Sequence, residues 1–390
     1  MKWQYFTDEH ELFRKTVRQF IENEIVPHAE EWEKQERIPK DIYKKMGELG
    51  YLGINFPEKY GGAELDFFYT VVFLEELARC TMAGFAAAVS IQAYLSVAHI
   101  FGAGSEELKQ KYVVPSIAGE LVGALAITEP DAGSDVNAIR TKAVRDGDHY
   151  VINGSKTFIT NGVFSDFVTA AVKTVSESGT EGMSMIVIDR DTPGFTARQL
   201  KKMGWHSSDT GELSFEDARV PAANLIGEEG MGFYYIMESF QLERLVAAVL
   251  FVAGAEHCME ITLQYISERK AFGRPLNRFQ VIRHKLAQLA SELEASKCLT
   301  YQTCWLHQNG EHAVRECSMA KLVTSEVGKK MIDECLQFFG GYGYMNEYLI
   351  SRMFRDARIG TIGGGTSEIM REIISRMMID DTRYDAAYKK

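Results

Sequence analysis

Along this chain the spacing of apolar positions changes twice, and the two changes predict three structural regimes. Up to about residue 120 the period is helical. Thr7 opens the first helix as an N-cap with acids in the first turn, and Leu12, Val17, Phe20, Ile21 and Ile25 follow at helical spacing before Pro27. Residues 41–49 predict a second helix, and Glu58-Lys-Tyr-Gly-Gly is a break. Residues 67–79 and 84–101 are apolar enough to predict buried helices. Residues 105–112 begin with the capping pattern Ser105-Glu-Glu-Leu.

From about Leu121 the pattern shortens. Residues 167–175, 184–189, 195–200 and 213–215 are strand-like runs between Gly, Pro and Asp, and the dipeptides Asn153-Gly154 and Asn161-Gly162 favour tight turns between strands. After Met231 the sole proline is Pro275, which predicts long helices packed as a bundle. The expected class is α+β, with an N-terminal all-α domain at 1–120, an antiparallel β-domain at 121–230 and a C-terminal helical bundle at 231–390. The first and last parts are expected to share one helical body.

Within the last part, residues 237–254 read as a helix sunk in the core, apolar on every side from Leu245 onward. Glu243 stands at its head with Ser239, Phe240, Val246, Ala247 and Leu250 as helical neighbours. A carboxylate in such company costs several kcal/mol unless compensated, so it has either a partner or a task. Arg244 points about 100° away around the helix and need not pair with it.

Composition narrows the function classes. A net charge of −11 argues against nucleic acid and against an anionic membrane surface. No uninterrupted apolar run approaches the roughly 20 residues of a membrane span, and the N-terminus lacks a targeting pattern, so a cytoplasmic location is expected. The six cysteines contain no CxxC pair and read as free thiols, with no metal site expected. There is no GxGxxG after a first strand and no phosphate-binding P-loop.

Five segments carry the chemistry jointly: 125–135 (LAITEPDAGSD), 153–162 (NGSKTFITNG), 268–280 (ERKAFGRPLNRFQ), 337–344 (QFFGGYGY) and 355–368 (RDARIGTIGGGTSE). In this order and spacing the chain closely resembles the acyl-CoA dehydrogenase family over essentially its whole length. The resemblance implies a helical domain, a middle β-domain and a C-terminal four-helix bundle, with FAD as cofactor and acyl-CoA as substrate. It also implies an electron-transferring flavoprotein as partner and a homo-oligomer, usually a tetramer.

For the cofactor, the resemblance implies Leu125, Ile127, Thr128, Gly133 and Ser134 from the first segment and Phe158, Ile159 and Thr160 from the second. Relatives more often have Trp at position 158; Phe keeps the apolar surface and loses the indole N–H. Arg269, Phe272, Gln280, Gln337, Gly340 and Gly341 match residues on the adenosine and pyrophosphate side, often of a neighbouring subunit. Thr366 and Glu368 begin a helix whose bare N–H groups suit a flavin or phosphate edge. For the substrate, the matching positions are Ser134, Gln241, Arg244, Gly364 and Gly365.

One departure matters. Many family members carry the catalytic glutamate in an Ile-Tyr-Glu-Gly-Thr segment, and here that place reads Ile362-Gly-Gly-Gly-Thr366, with Gly364 at the glutamate's position. Relatives similar to isovaleryl-CoA and long-chain acyl-CoA dehydrogenases put the base in a Leu-Glu-Arg context on the buried helix instead. Leu242-Glu243-Arg244 has that form. The resemblance therefore implies Glu243 as the α-proton base, flavin N5 as hydride acceptor and an N–H near Gly365 as part of the enolate site. An acyl-CoA oxidase on the same fold, or a silent FAD/acyl-CoA binder, is the alternative.

Overall fold

The computed structural model describes residues 3–175, 179 and 181–384. The N-terminal part holds helices α1 (Asp8–Phe20), α2 (Ala29–Gln35), α3 (Lys40–Glu48), α4 (Phe67–Leu77), α5 (Ala83–Ser90), α6 (Val97–Ala103), α7 (Glu106–Leu108) and α8 (Val114–Ile117). Thr7 caps α1 as its sequence predicts: its hydroxyl accepts from the His10 amide while the His10 ring closes the reciprocal contact. Ser105 caps α7 by accepting from the Leu108 amide. Leu12 departs from expectation, because it lies on the outer face of α1, 67% exposed.

The middle part is a mixed sheet of β1 (Gly123–Ala126), β2 (Lys142–Asp146), β3 (His149–Thr160), β4 (Phe167–Val175), β5 (Glu181–Asp189), β6 (Phe195–Gln199), β7 (Thr210–Pro221) and β8 (Leu225–Ile226). The strand order is β6-β7-β3-β2-β4-β5-β8, with β1 paired to β4. Pairing is mainly antiparallel as expected, but β4 runs parallel to β1 and, at one residue pair, to β2. Strand β4 is buried on both faces along most of its length, which is why its sequence reads as a continuous apolar run.

Asn153-Gly154 does not make the turn its sequence suggests. It lies inside β3 at a register shift, where Gly154 adopts φ +147° and a Cβ would fall 2.7 Å from the Thr141 Cα. Here the Asn-Gly pair makes a bulge that lets two backbones approach. Asn161-Gly162 does end a strand, and the Asn161 side chain reaches the carbonyls of Ala88 and Gly123.

The C-terminal part is built on α9 (Gly232–Glu268), α10 (Gln280–Gln308), α11 (Val314–Phe339) and α13 (Ser367–Ile379), with α12 (Leu349–Ala357) between the last two. Helix α9, with 37 residues, is about 55 Å long. It is not apolar-buried all round as its sequence suggests: Ala247, Leu250, Phe251 and Gly254 form a half-buried stripe, while Leu245, Val246 and Val249 join the core of the N-terminal helices. By length and composition, Ala83–Ala103 and Gly232–Glu268 are both apolar enough to cross a bilayer, which corrects the sequence expectation. In this fold 83% and 56% of their apolar windows are buried inside the protein.

The first and last parts do share one core, with Tyr301, Cys304 and Cys317 packed among residues of α1 and α4. A charged cluster closes this seam. Arg14 donates to Glu75 at 2.6 Å, and the Tyr301 hydroxyl donates to the other Glu75 oxygen. Asp356 ties in the middle domain by accepting from the amides of Trp205 (2.7 Å) and Ala83 (3.3 Å). Replacing Tyr301 with Phe leaves a buried carboxylate oxygen without its donor. The expected loss is about 1.5–3 kcal/mol of unfolding free energy in denaturant titration, and an unchanged midpoint would show that the seam does not depend on this bond.

Candidate active site

Two backbone segments form one wall of the site. The loop from Ile127 to Ser134 lies beside the end of β3, joined by a 2.9 Å bond from the Thr157 amide to the Thr128 carbonyl. Lys156, fully buried on β3, donates to Glu129 at 2.7 Å and to the Ile127 carbonyl at 3.0 Å. Glu129 also accepts from the amides of Arg140 and Thr141. Burial alone would push the Glu129 carboxyl up, but Lys156 and these donors hold it below the usual carboxylate range. Lys156 and Glu129 were not among the site residues expected from sequence, although both lie inside the motif segments.

The wall presents an exposed apolar ring. Phe158 has φ +60° and is 69% exposed, at the second register shift of β3. A bulky residue in that region is strained, and such strain gathers where a ligand is held. Thr160 and Thr128 are half-buried, and Gly133 and Ser134 are exposed. Ile127 and Ile159 differ from expectation: their side chains turn into separate cores, so only their backbones can face a cofactor. Leu125 is half-buried against two of the cores.

Glu243 stands on α9 with the glycine loop opposite. A Cβ built on Gly364 would lie 3.6 Å from Glu243 Oε1, so a side chain at 364 would enter the space the Glu243 carboxylate fills. Position 364 and the Glu243 carboxylate are therefore in contact across one gap. Burial raises the Glu243 carboxyl to about 7, while Arg244 and Lys321 pull it the other way. Arg244 is 6% exposed with its Nε unpartnered among the described residues, and its guanidinium lies 5.7 Å from the Phe240 ring. Gln241 is buried one turn from these groups.

Around the loop, Gly364 (φ +62°) and Gly365 (φ +87°) adopt conformations that side-chain-bearing residues resist. Thr366 caps α13 by accepting from the Ile369 amide at 3.2 Å, and Glu368 projects outward from its first turn. Lys321 of α11, with no exposed surface, donates to the Gly365 carbonyl. No sequence motif pointed to Lys321, since a lysine on a helix ordinarily reads as solvated.

The remaining expected cofactor residues collect elsewhere. Arg269 lies over the Tyr342 ring at 5.4 Å, Phe272 is 95% exposed and packs on Phe279 beside Gln280, and Gln337, Gly340 and Gly341 are exposed at the end of α11. Arg269 follows Glu243 by 26 residues, about 39 Å along α9. This second set is too remote to join the first around one FAD molecule. Among the described residues no His, Cys, Asp and Glu group could hold a metal ion.

The Glu129–Lys156 pair generates a prediction. Lys156→Met strands a buried carboxylate behind the Ile127–Ser134 loop, and an expected cost of about 3–5 kcal/mol follows. Thermal unfolding and retention of yellow cofactor through gel filtration should both suffer, whereas full retention would separate the pair from the loop it supports.

Three comparisons bear on this site. The N-terminal, middle and C-terminal domains of acyl-CoA dehydrogenase match residues 7–120, 124–218 and 230–379. The mouse mitochondrial long-chain specific acyl-CoA dehydrogenase is 40% identical over 382 residues, covering 97% of this chain and 88% of that protein. A short-chain specific acyl-CoA dehydrogenase of Clostridium acetobutylicum is 41% identical over 371 residues, covering 95% and 97%. The crystal structure of an acyl-CoA dehydrogenase from Geobacillus kaustophilus superimposes with a TM-score of 0.92 at 43% identity, over 97% of this chain and all of that one. The exposed Phe158 ring, the bare loop at Gly133 and the open α13 N-terminus fit the flat flavin and its polar edge. With all three domains matched in order and the site built to receive that cofactor, this chain belongs to the acyl-CoA dehydrogenase family, FAD-dependent oxidoreductases that act on the CH–CH bond of acyl-CoA.

Proposed function

We propose that this enzyme converts a saturated acyl-CoA to the trans-2-enoyl-CoA with Glu243 as the base, and hands the electrons to an electron-transferring flavoprotein. The observation that carries the assignment is the contact of the Glu243 carboxylate with the place where Gly364 lacks a side chain. A thioester α-proton is far too weakly acidic for an ordinary solvated carboxylate. Burial raises the Glu243 carboxyl to about 7, which narrows that gap while a substantial fraction stays ionised at neutral pH. When bound, FAD supplies the acceptor for the hydride from the β-carbon.

The chain's own groups do the rest. Gly363 to Gly365 present backbone without side chains, so a thioester can approach the loop closely. The unpartnered Arg244 Nε is a donor waiting in the same wall, and its charge keeps Glu243 from rising further. Phe158 supplies an apolar face for the ring system, and Ser134 is exposed at the rim. The separation of about 39 Å between Glu243 and Arg269 supports a homo-oligomer in which the Arg269 set of one copy serves the FAD of another. We read that assembly as a tetramer.

The test is an anaerobic titration with butanoyl-, octanoyl-, palmitoyl- and isovaleryl-CoA, following the flavin absorbance. At least one of these is expected to bleach the flavin, and the responding group gives the acyl class. Glu243→Gln should keep FAD and lose roughly 10²–10⁴-fold in the bleaching rate; bleaching at the wild-type rate would remove Glu243 from the role. Because the carboxylate form is required, the rate should climb with pH through about 7 and fall away on the acid side. A rate flat between pH 6 and 8 would contradict this. Gly364→Glu in the Glu243→Gln background should recover part of the loss, at a backbone cost of about 1–2 kcal/mol for the left-handed conformation. If the double variant is no faster than Glu243→Gln, the two positions are not interchangeable.

A further inference from the structure

We propose that Lys321 is the positioning residue of this site: by donating to the Gly365 carbonyl it fixes the glycine loop, and its ammonium sets the charge balance of Glu243 opposite. The inference rests on the reading of Glu243 as the base. It begins with how the loop is anchored. The Gly363 amide donates to the Ile359 carbonyl at 2.8 Å and holds the loop's start, whereas a Cβ on Gly364 would meet nothing within 4 Å but the Glu243 carboxylate, and Gly364 and Gly365 both have positive φ. Three glycines in a row carry the largest chain entropy to lose on ordering, so something outside the loop must hold it. Thr366 anchors its far end as the α13 cap. Lys321 grips the last glycine.

The lysine is placed at a cost that only such a duty explains. Its side chain has no exposed surface, and its one described hydrogen-bond acceptor is neutral. Burial and the neighbouring Arg244 charge, against the pull of Glu243, Glu326 and Glu368, bring it down to about 8. The main charged neighbours of Lys321 among the described residues are themselves engaged. Glu243 faces Arg244 on its own helix and Lys321 on α11. Arg244 in turn faces Glu243, Cys317 and Tyr384. Glu326 is engaged by Ser367 and Arg371 of α13, and Glu368 lies within reach of Arg371. Among the described residues, Arg244 and Lys321 are thus cations acting on the carboxylate, and Lys321 also touches the loop.

Two functions in one side chain can be separated by substitution. Lys321→Met removes both the donor and the charge, Lys321→Gln keeps a donor without the charge, and Lys321→Arg keeps both. The first readout is the pH profile of anaerobic flavin bleaching with the same four acyl-CoAs, on FAD-loaded protein. Lys321→Met is expected to slow bleaching at pH 7 by roughly tenfold or more and to move the profile's midpoint upward by about one unit, since the base loses one of the cations acting on it. Lys321→Gln should show the same shift with a smaller loss, and Lys321→Arg should restore the midpoint. A wild-type midpoint in both Met and Gln variants would overturn the proposal, as would failure of Arg to restore it.

The second readout does not depend on turnover. Hydrogen exchange of the amides from Gly363 to Thr366 should speed up at least tenfold in Lys321→Met, less in Lys321→Gln, and stay near wild type in Lys321→Arg. Unchanged exchange in the Met and Gln variants would overturn the anchoring role. Should the wild-type protein bleach with none of the thioesters, the assignment of Glu243 fails, and exchange of the loop still decides whether Lys321 holds it. If Lys321→Met does not fold with FAD, the Gln and Arg pair carries both readouts.

Discussion

The partial withdrawal of one carboxylate from water is the constraint to which the site answers. Glu243 is carried on a helix whose next turns join the core of another domain, so it cannot swing out to solvent without disturbing that packing. Desolvation favours the neutral acid, and Arg244 and Lys321 oppose it. Both cations are themselves depressed by burial, so the three groups form a balance in which none has its ordinary affinity for a proton. A side chain at 364 would crowd this arrangement, and the glycines of the loop leave it room.

Much of the fold was legible in the chain because its local rules agree with its global ones. Thr7 and Ser105 cap helices where their sequences say they should, and Phe167–Val175 is a strand to the residue. The misreadings have a common cause, in that tertiary contact overrode a short-range signal. Asn153-Gly154 has turn composition, yet the approach of Thr141 uses the glycine for a bulge inside a strand. Leu12 keeps helical spacing but faces outward. The long helix with Glu243 has an apolar sequence all round, and the half-open stripe along it becomes visible only when its neighbours are placed.

The site was legible in a different way. Its motifs marked segments, and the fold then sorted the residues within each segment. Phe158 is exposed while Lys156, Thr157 and Ile159 around it are buried, because the irregularity at Phe158 breaks the strand's alternation and turns its ring outward. Lys156 and Lys321 escaped notice because a lysine gives no hint in sequence of being buried; their value comes from a carboxylate and a carbonyl far away in the chain. The remoteness of Arg269 from Glu243 is likewise a matter of helix length, and a spacing in sequence says nothing of it until the helix is seen to run unbroken.

The contact of position 364 with the Glu243 carboxylate also constrains how such a site can change over descent. On the reading of Glu243 as the base, a carboxylate carried at 364 instead would reach the same gap from the facing backbone. Lineages must cross through a protein with either no carboxylate or two. Two carboxylates in contact share a single proton, one turning strongly acidic and the other strongly basic. A protein with both groups would hold one ionised carboxylate in the gap over a wide pH range, and one with neither would hold none.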